Sequence, residues 1–181
     1  MTREEAFKLV NEKVSNKNLR KHMYATEAVM RHLARRLGED EELWGLAGLL
    51  HDLDYDQTVD DFPRHGLITA EMLAETDVAE EVIYAIKSHP GHFPRKSLLD
   101  KVLYAVDPIT GLIVAAALMH PTKKLKNVDV EFVKRRFKEK RFAAGADREQ
   151  IRSCEEFGLS VEDFIPVALE AMQGIDEVLG L

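Results

Sequence analysis

Apolar residues along this chain recur at intervals of three and four, and runs that alternate apolar with polar are scarce, so the pattern predicts helices throughout. Thr2 and Glu5 can form a capping box that opens a first helix running to about Val14. A turn at Ser15 to Asn18 leads into a second helix. Its apolar stripe carries His22, Ala25, Val29 and Leu33, and it stops near Gly38. Asp40 can cap a third helix, EELWGLAGLL, which delivers the pair His51-Asp52 at its end. LDYDQTVDDFP reads as an acidic loop ending at Pro63, followed by a fourth helix over about Arg64 to Ala74. Asp77 is expected to cap a fifth helix ending near Ser88.

HPGHFPRK, with its prolines and glycine, is a loop. Ser97 starts a long helical stretch to about Met119, with an interruption expected around Asp107-Pro108. The remainder reads as two or three more helices, over about Asp129 to Lys138, Asp147 to Phe157 and Ser160 to Leu179, the last kinked at Pro166. The expected fold class is all-α: one helical domain over residues 1–120, and a helical extension over 121–181 packed on the same domain. The second part is the more basic, between Lys123 and Arg141, which is most simply a solvated helix face.

Composition narrows the function classes. The 181 residues are 45% hydrophobic and 31% charged, a globular balance. A formal net charge of -7 disfavours stable nucleic-acid binding, because neutralising phosphates needs clustered Lys and Arg. A small phosphorylated ligand remains compatible, since one local site is enough. The single cysteine, Cys154, excludes an internal disulfide. The charged, amphipathic start lacks a signal-peptide pattern, and the apolar stretch Leu112 to Met119 is too short to cross a bilayer. The expectation is a soluble cytoplasmic protein without membrane association.

Six residues carry the candidate chemistry: His22, His51, Asp52, His65, His89 and Asp107. Imidazole and carboxylate together suit divalent transition metals. Each residue also has an ordinary structural reading. His22 on an apolar stripe can be a hydrogen-bonded core histidine, and His65 a solvated first-turn residue. His89 can interact with a helix dipole. Asp107 reads well as an N-cap, because Pro108 disfavours helical geometry before it and fits a first helical position. His51-Asp52 can end a helix and begin a turn. Six such coincidences in order favour one shared site instead. His92, three residues after His89, could replace it as a ligand, although an exposed loop position suits it better.

The order His22, His51-Asp52, His65, His89, Asp107 resembles the HD-domain superfamily of metal-dependent phosphohydrolases, and in particular its HDIG-type predicted hydrolases. The surrounding segments LAGLLHDLDYD, HGLITAEML, AIKSHPGH and VLYAVDPITGL share the resemblance, which covers about residues 19 to 120. HGLITAEML resembles the fourth-histidine segment of HD-GYP phosphodiesterases. The resemblance implies a helical bundle around one or two divalent ions (Fe, Mn, Zn, Co, Ni or Mg). His22, His51, Asp52 and Asp107 would hold the first ion. Asp52, also the residue assigned to catalysis, would bridge to a second ion completed by His65 and His89. The implied reaction is phosphomonoester or phosphodiester hydrolysis of a nucleotide or other small phosphate ester by metal-bound hydroxide.

One departure concerns phosphate binding. Many HDIG members carry Lys or Arg three residues after the HD aspartate, where this chain has Tyr55 flanked by Asp54 and Asp56. Arg64, Lys87, Arg95 and Lys96, each beside an implied ligand, are the substitute candidates, with a solvated surface charge as the ordinary reading of each. Two other functions share the ligand order: a mixed-valent di-iron oxygenase of the same superfamily, and a non-catalytic, metal-stabilised regulatory module. Neither metal identity nor oligomeric state follows from the sequence.

Overall fold

The computed structural model describes residues 1–181, and every regular element is a helix. Helix α1 (Arg3–Lys13) opens with the Thr2/Glu5 capping box, and α2 (Lys17–Leu37) ends on Gly38 at φ 77°. Asp40 caps α3 (Glu41–Leu50) by accepting from the Leu43 amide. Helices α2 and α3 pack closely as a hairpin. A Cβ at Gly48 would lie 2.9 Å from the Glu27 backbone, so this crossing requires glycine. The buried Glu27 beneath it is held by Arg3 at 2.6 Å and Arg31 at 2.9 Å.

The expected loop after Asp52 contains structure: a short helix α4 (Tyr55–Thr58) and a 3-10 turn (Phe62–Arg64). The fourth predicted helix accordingly starts later, as α5 (Leu67–Ala74). Helix α6 (Glu80–Ser88) is not capped by Asp77; that carboxylate instead pairs with the Met1 amine at 2.8 Å, and Ala79 holds the cap position.

Helix α7 (Leu98–Met119) runs through Pro108 without interruption, so Asp107 lies inside the helix and is not an N-cap. Proline removes the amide that would bond the Tyr104 carbonyl. Gln150 Nε2 donates to that carbonyl at 2.8 Å, and this tertiary bond lets the helix continue. By length and composition α7, with a mean hydropathy of 1.9, could cross a membrane. Its apolar side chains are instead largely buried against α2, α3 and α6 and against four later elements. Those are α8 (Val130–Lys138), α9 (Arg148–Arg152), the 3-10 turn Ser153–Phe157 and α10 (Val161–Gln173). The last predicted helix divides at Gly174, leaving a short α11 (Asp176–Leu179). One apolar cluster extends from Ala6 to Leu179, so residues 121–181 share the core of the first 120.

Candidate metal centre

The six predicted residues converge on one point from five parts of the chain. His22 comes from α2, His51 and Asp52 from the end of α3, His65 from the turn before α5, His89 from the end of α6 and Asp107 from α7. His22 Nε2 lies 3.1 Å from both His51 Nε2 and Asp107 Oδ1. His65 Nε2 and His89 Nε2 are also 3.1 Å apart. Asp52 stands between these pairs with its oxygens divided. Oδ2 faces His22 at 3.5 Å and His51 at 3.4 Å; Oδ1 faces His65 at 3.3 Å and His89 at 3.4 Å.

The far ring nitrogens settle the tautomers. His51 Nδ1 donates to the Gly48 carbonyl at 2.8 Å and His89 Nδ1 to the Ile86 carbonyl at 2.6 Å. His65 Nδ1 donates to the Asp54 carboxylate at 2.8 Å. The Thr110 hydroxyl donates to the Asp107 carbonyl, so it accepts from His22 Nδ1 at 2.9 Å. With every Nδ1 carrying a hydrogen, each imidazole, once neutral, presents its Nε2 lone pair toward its neighbours and the two carboxylates. Such converging nitrogens and carboxylates are repulsive unless protons, as on His65, or metal cations stand between them. Nitrogen and carboxylate donors of this kind fit Fe, Mn, Zn, Co or Ni well, and Mg less well. Two groups, His22/His51/Asp107 and His51/Asp52/His89, have their ligand atoms within 4.8 Å of one another.

Comparison with known proteins agrees with this geometry: the family model described as HD domain matches residues 19–148. The chain belongs to the HD-domain family. Curated relatives are all called ribonuclease Y. The protein from Sulfurovum sp. is 30% identical over 131 residues, covering 71% of this chain and 26% of the relative. That from Oleidesulfovibrio alaskensis is 29% identical over 96 residues, covering 53% and 18%. That from Desulfotalea psychrophila is 32% identical over 79 residues, covering 44% and 15%. The chain thus corresponds to about a quarter or less of each of these relatives. No solved structure matches it.

Around the HD pair, the structure resolves the acidic segment. Asp54 is fully buried and turned away from solvent. Besides bonding His65, it accepts from the Gly66 amide at 2.8 Å and the Thr69 amide at 2.9 Å, at the start of α5. Burial works against its charge, but His65 and Thr69 prevail and hold its pKa below the usual carboxylate range. Gly66 has φ 79°, and a Cβ there would lie 2.9 Å from the Ile86 carbonyl. Asp54 is the functional residue the sequence reading missed. Its only local signal is the HD-x-D spacing. Asp56 faces Ser15 and Asn16, accepting from both amides.

Burial likewise opposes charge on the ligand carboxylates, yet the surrounding imidazoles keep Asp52 and Asp107 well below the ordinary carboxylate range. For His65, desolvation disfavours the proton, but Asp52 and Asp54 outweigh it and raise the pKa to about 9. His89, by contrast, is pushed down by burial.

A cavity of about 420 Å³ opens over the cluster, walled by Leu19, Tyr55, Phe62 and Pro90 and, across from them, Gly145 and Gln150. None of the four candidate phosphate-binding cations lines it. Arg64 is exposed and 4.0 Å from Asp61, and Lys87 lies over the Phe93 ring at 4.7 Å. Arg95 pairs with Glu156 at 2.6 Å and stacks on Tyr104; Lys96 lies over Tyr84 at 4.7 Å. His92 donates to the Phe62 carbonyl at 2.9 Å and stays outside the cluster.

Proposed function

We propose that this HD-domain chain is a metal-dependent phosphohydrolase acting on a nucleotide or other small phosphate ester. The observation that carries the reading is the divided Asp52 carboxylate, each oxygen facing two imidazoles whose lone pairs point inward. His22, His51 and Asp107 with Asp52 Oδ2 would hold one divalent ion. His65 and His89 with Asp52 Oδ1 would hold another. When bound, such ions supply Lewis acidity toward a phosphoryl oxygen and lower the pKa of water toward neutrality.

The chain's own residues do the rest. Thr110, Gly48, Ile86 and Asp54 fix the four imidazole rings, so the site is organised before substrate arrives. The two carboxylates offset only part of the charge of two divalent ions, which leaves a net positive centre for a phosphoryl group although no Lys or Arg lines the cavity. Water adds to phosphorus, the ester P–O bond breaks, and the alcohol leaves with one proton. The name of the relatives implies cleavage of RNA. The cation-free cavity favours a small ester here, because a strand needs several phosphates neutralised.

The test is metal analysis of the purified protein followed by a phosphate-ester panel in Mn, Fe, Co and Mg. Phosphate release is expected, and Asp52→Ala is expected to bring it to background. A fully metal-loaded protein inert on the whole panel would overturn the reading. Substrate-dependent oxygen uptake would then favour the di-iron oxygenase.

A further inference from the structure

A second cavity, of about 750 Å³, adjoins the metal cavity and shares Leu19, His22 and Tyr55 with it. Its walls are mainly aliphatic: Val59, Val114, Leu118 and Leu179. Val59 is 59% exposed and Leu118 52%, unusual values for large apolar side chains beside a polar centre. Its volume is that of a small-molecule site. Asn16, Asn18, Lys21 and Asp56 also line it, and Lys21 is the one Lys or Arg bordering either cavity.

Gly111 is the second observation. It sits inside α7 one turn after Asp107, where glycine weakens the helix relative to alanine. Nothing lies within 4 Å of the position its Cβ would take, so no neighbour in the fold demands glycine there. That empty position borders the apolar cavity, and also the opening formed by His22, Asp107 and Gly145. The absent side chain leaves room between that opening and the apolar wall.

We infer that the substrate is a phosphate monoester with a single phosphoryl group and an uncharged, apolar body of about ring size, which lies in this groove. The inference rests on the hydrolase reading and narrows it. Bound metal ions would face the phosphoryl group, and the aliphatic wall, on which Lys21 is offset by Asp56, would face the uncharged body. A second phosphate would find only Lys21. A nucleic-acid strand would find no row of cations at all.

Binding can be separated from turnover. Benzylphosphonate and methylphosphonate carry the same head group and are not hydrolysed as esters. Titration calorimetry on the Mn-loaded protein is expected to show benzylphosphonate binding at least about tenfold more tightly. Gly111→Leu, which fills that space, and Leu118→Asp, at an exposed position, are each expected to collapse that ratio toward one. Helix content by circular dichroism and metal content should hold for both. If one variant fails to fold, the other carries the test. Equal binding of the two phosphonates by the wild type, or a ratio untouched in a folded variant, would overturn the inference. So would a short RNA binding as tightly as benzylphosphonate. If the ratio behaves as expected while no ester is hydrolysed, the groove stands and the hydrolase reading falls.

Discussion

At the scale of single residues, Asp54 has the most to explain and the clearest test. It holds His65 in the tautomer that leaves Nε2 free, and it ties the start of α5 to the HD pair. Removing its charge while keeping its size, with Asp54→Asn, is expected to weaken metal binding by about 10–100-fold. The measurement is competition against a chelator of known affinity. The pH dependence follows from the same carboxylate. In the metal-free protein Asp52 and Asp54 raise His65 to about 9, so its proton must leave before a metal can bind. Affinity should therefore climb as pH rises toward about 9 and flatten above. In Asp54→Asn the climb should flatten at lower pH, because one of the two carboxylates retaining the proton is gone. An unchanged profile would remove Asp54 from this role.

At the scale of elements, Pro108 shows how a helix survives a residue that should break it. The local pattern predicts an interruption, since proline cannot donate to the carbonyl four residues back. The side chain that replaces the lost donor, Gln150, lies 46 residues beyond Tyr104 in the sequence. Gln150→Ala should cost about 1 kcal/mol by leaving the Tyr104 carbonyl without a partner. In a Pro108→Ala background the restored backbone amide takes over, and the cost of Gln150→Ala should shrink toward zero. Thermal unfolding of the two single variants and the double variant reads this coupling directly. The continuity matters for the site: Asp107 reaches the cluster, and Thr110 reaches His22, from successive turns of one unbroken helix.

For the whole molecule, the converging imidazoles and carboxylates are a ligand set that bound metal would hold together. The ligands come from α2, α3, α6, α7 and the turn before α5, so metal bound only by the folded state should stabilise all of these together. At a free metal concentration about 100 times the dissociation constant, linkage gives about 2.7 kcal/mol. For a chain of this size that is roughly 5–10 °C in Tm. Chelator-treated and Mn-loaded protein compared by scanning calorimetry should show this difference, and Asp52→Ala should show little of it.

Much of this protein is local and was therefore legible in the chain. Capping residues at Thr2, Asp40 and Ser97, the apolar spacing and Gly38 determine helices α1, α2 and α3 nearly to the residue, and the two ends of α7 though not its continuity through Pro108. The ordered set from His22 to Asp107 points to one metal centre because imidazoles on apolar faces need a shared purpose. Tertiary structure decided what depends on partners far along the chain. It buried Asp54 against His65, turned Asp56 toward Ser15, and withdrew Arg95 into a pair with Glu156. Sequence alone assigns charge to a residue but not the neighbour that neutralises it. For the same reason the spacing that predicts α7 gives Gly111 no role, and only the folded chain shows the open space beside it.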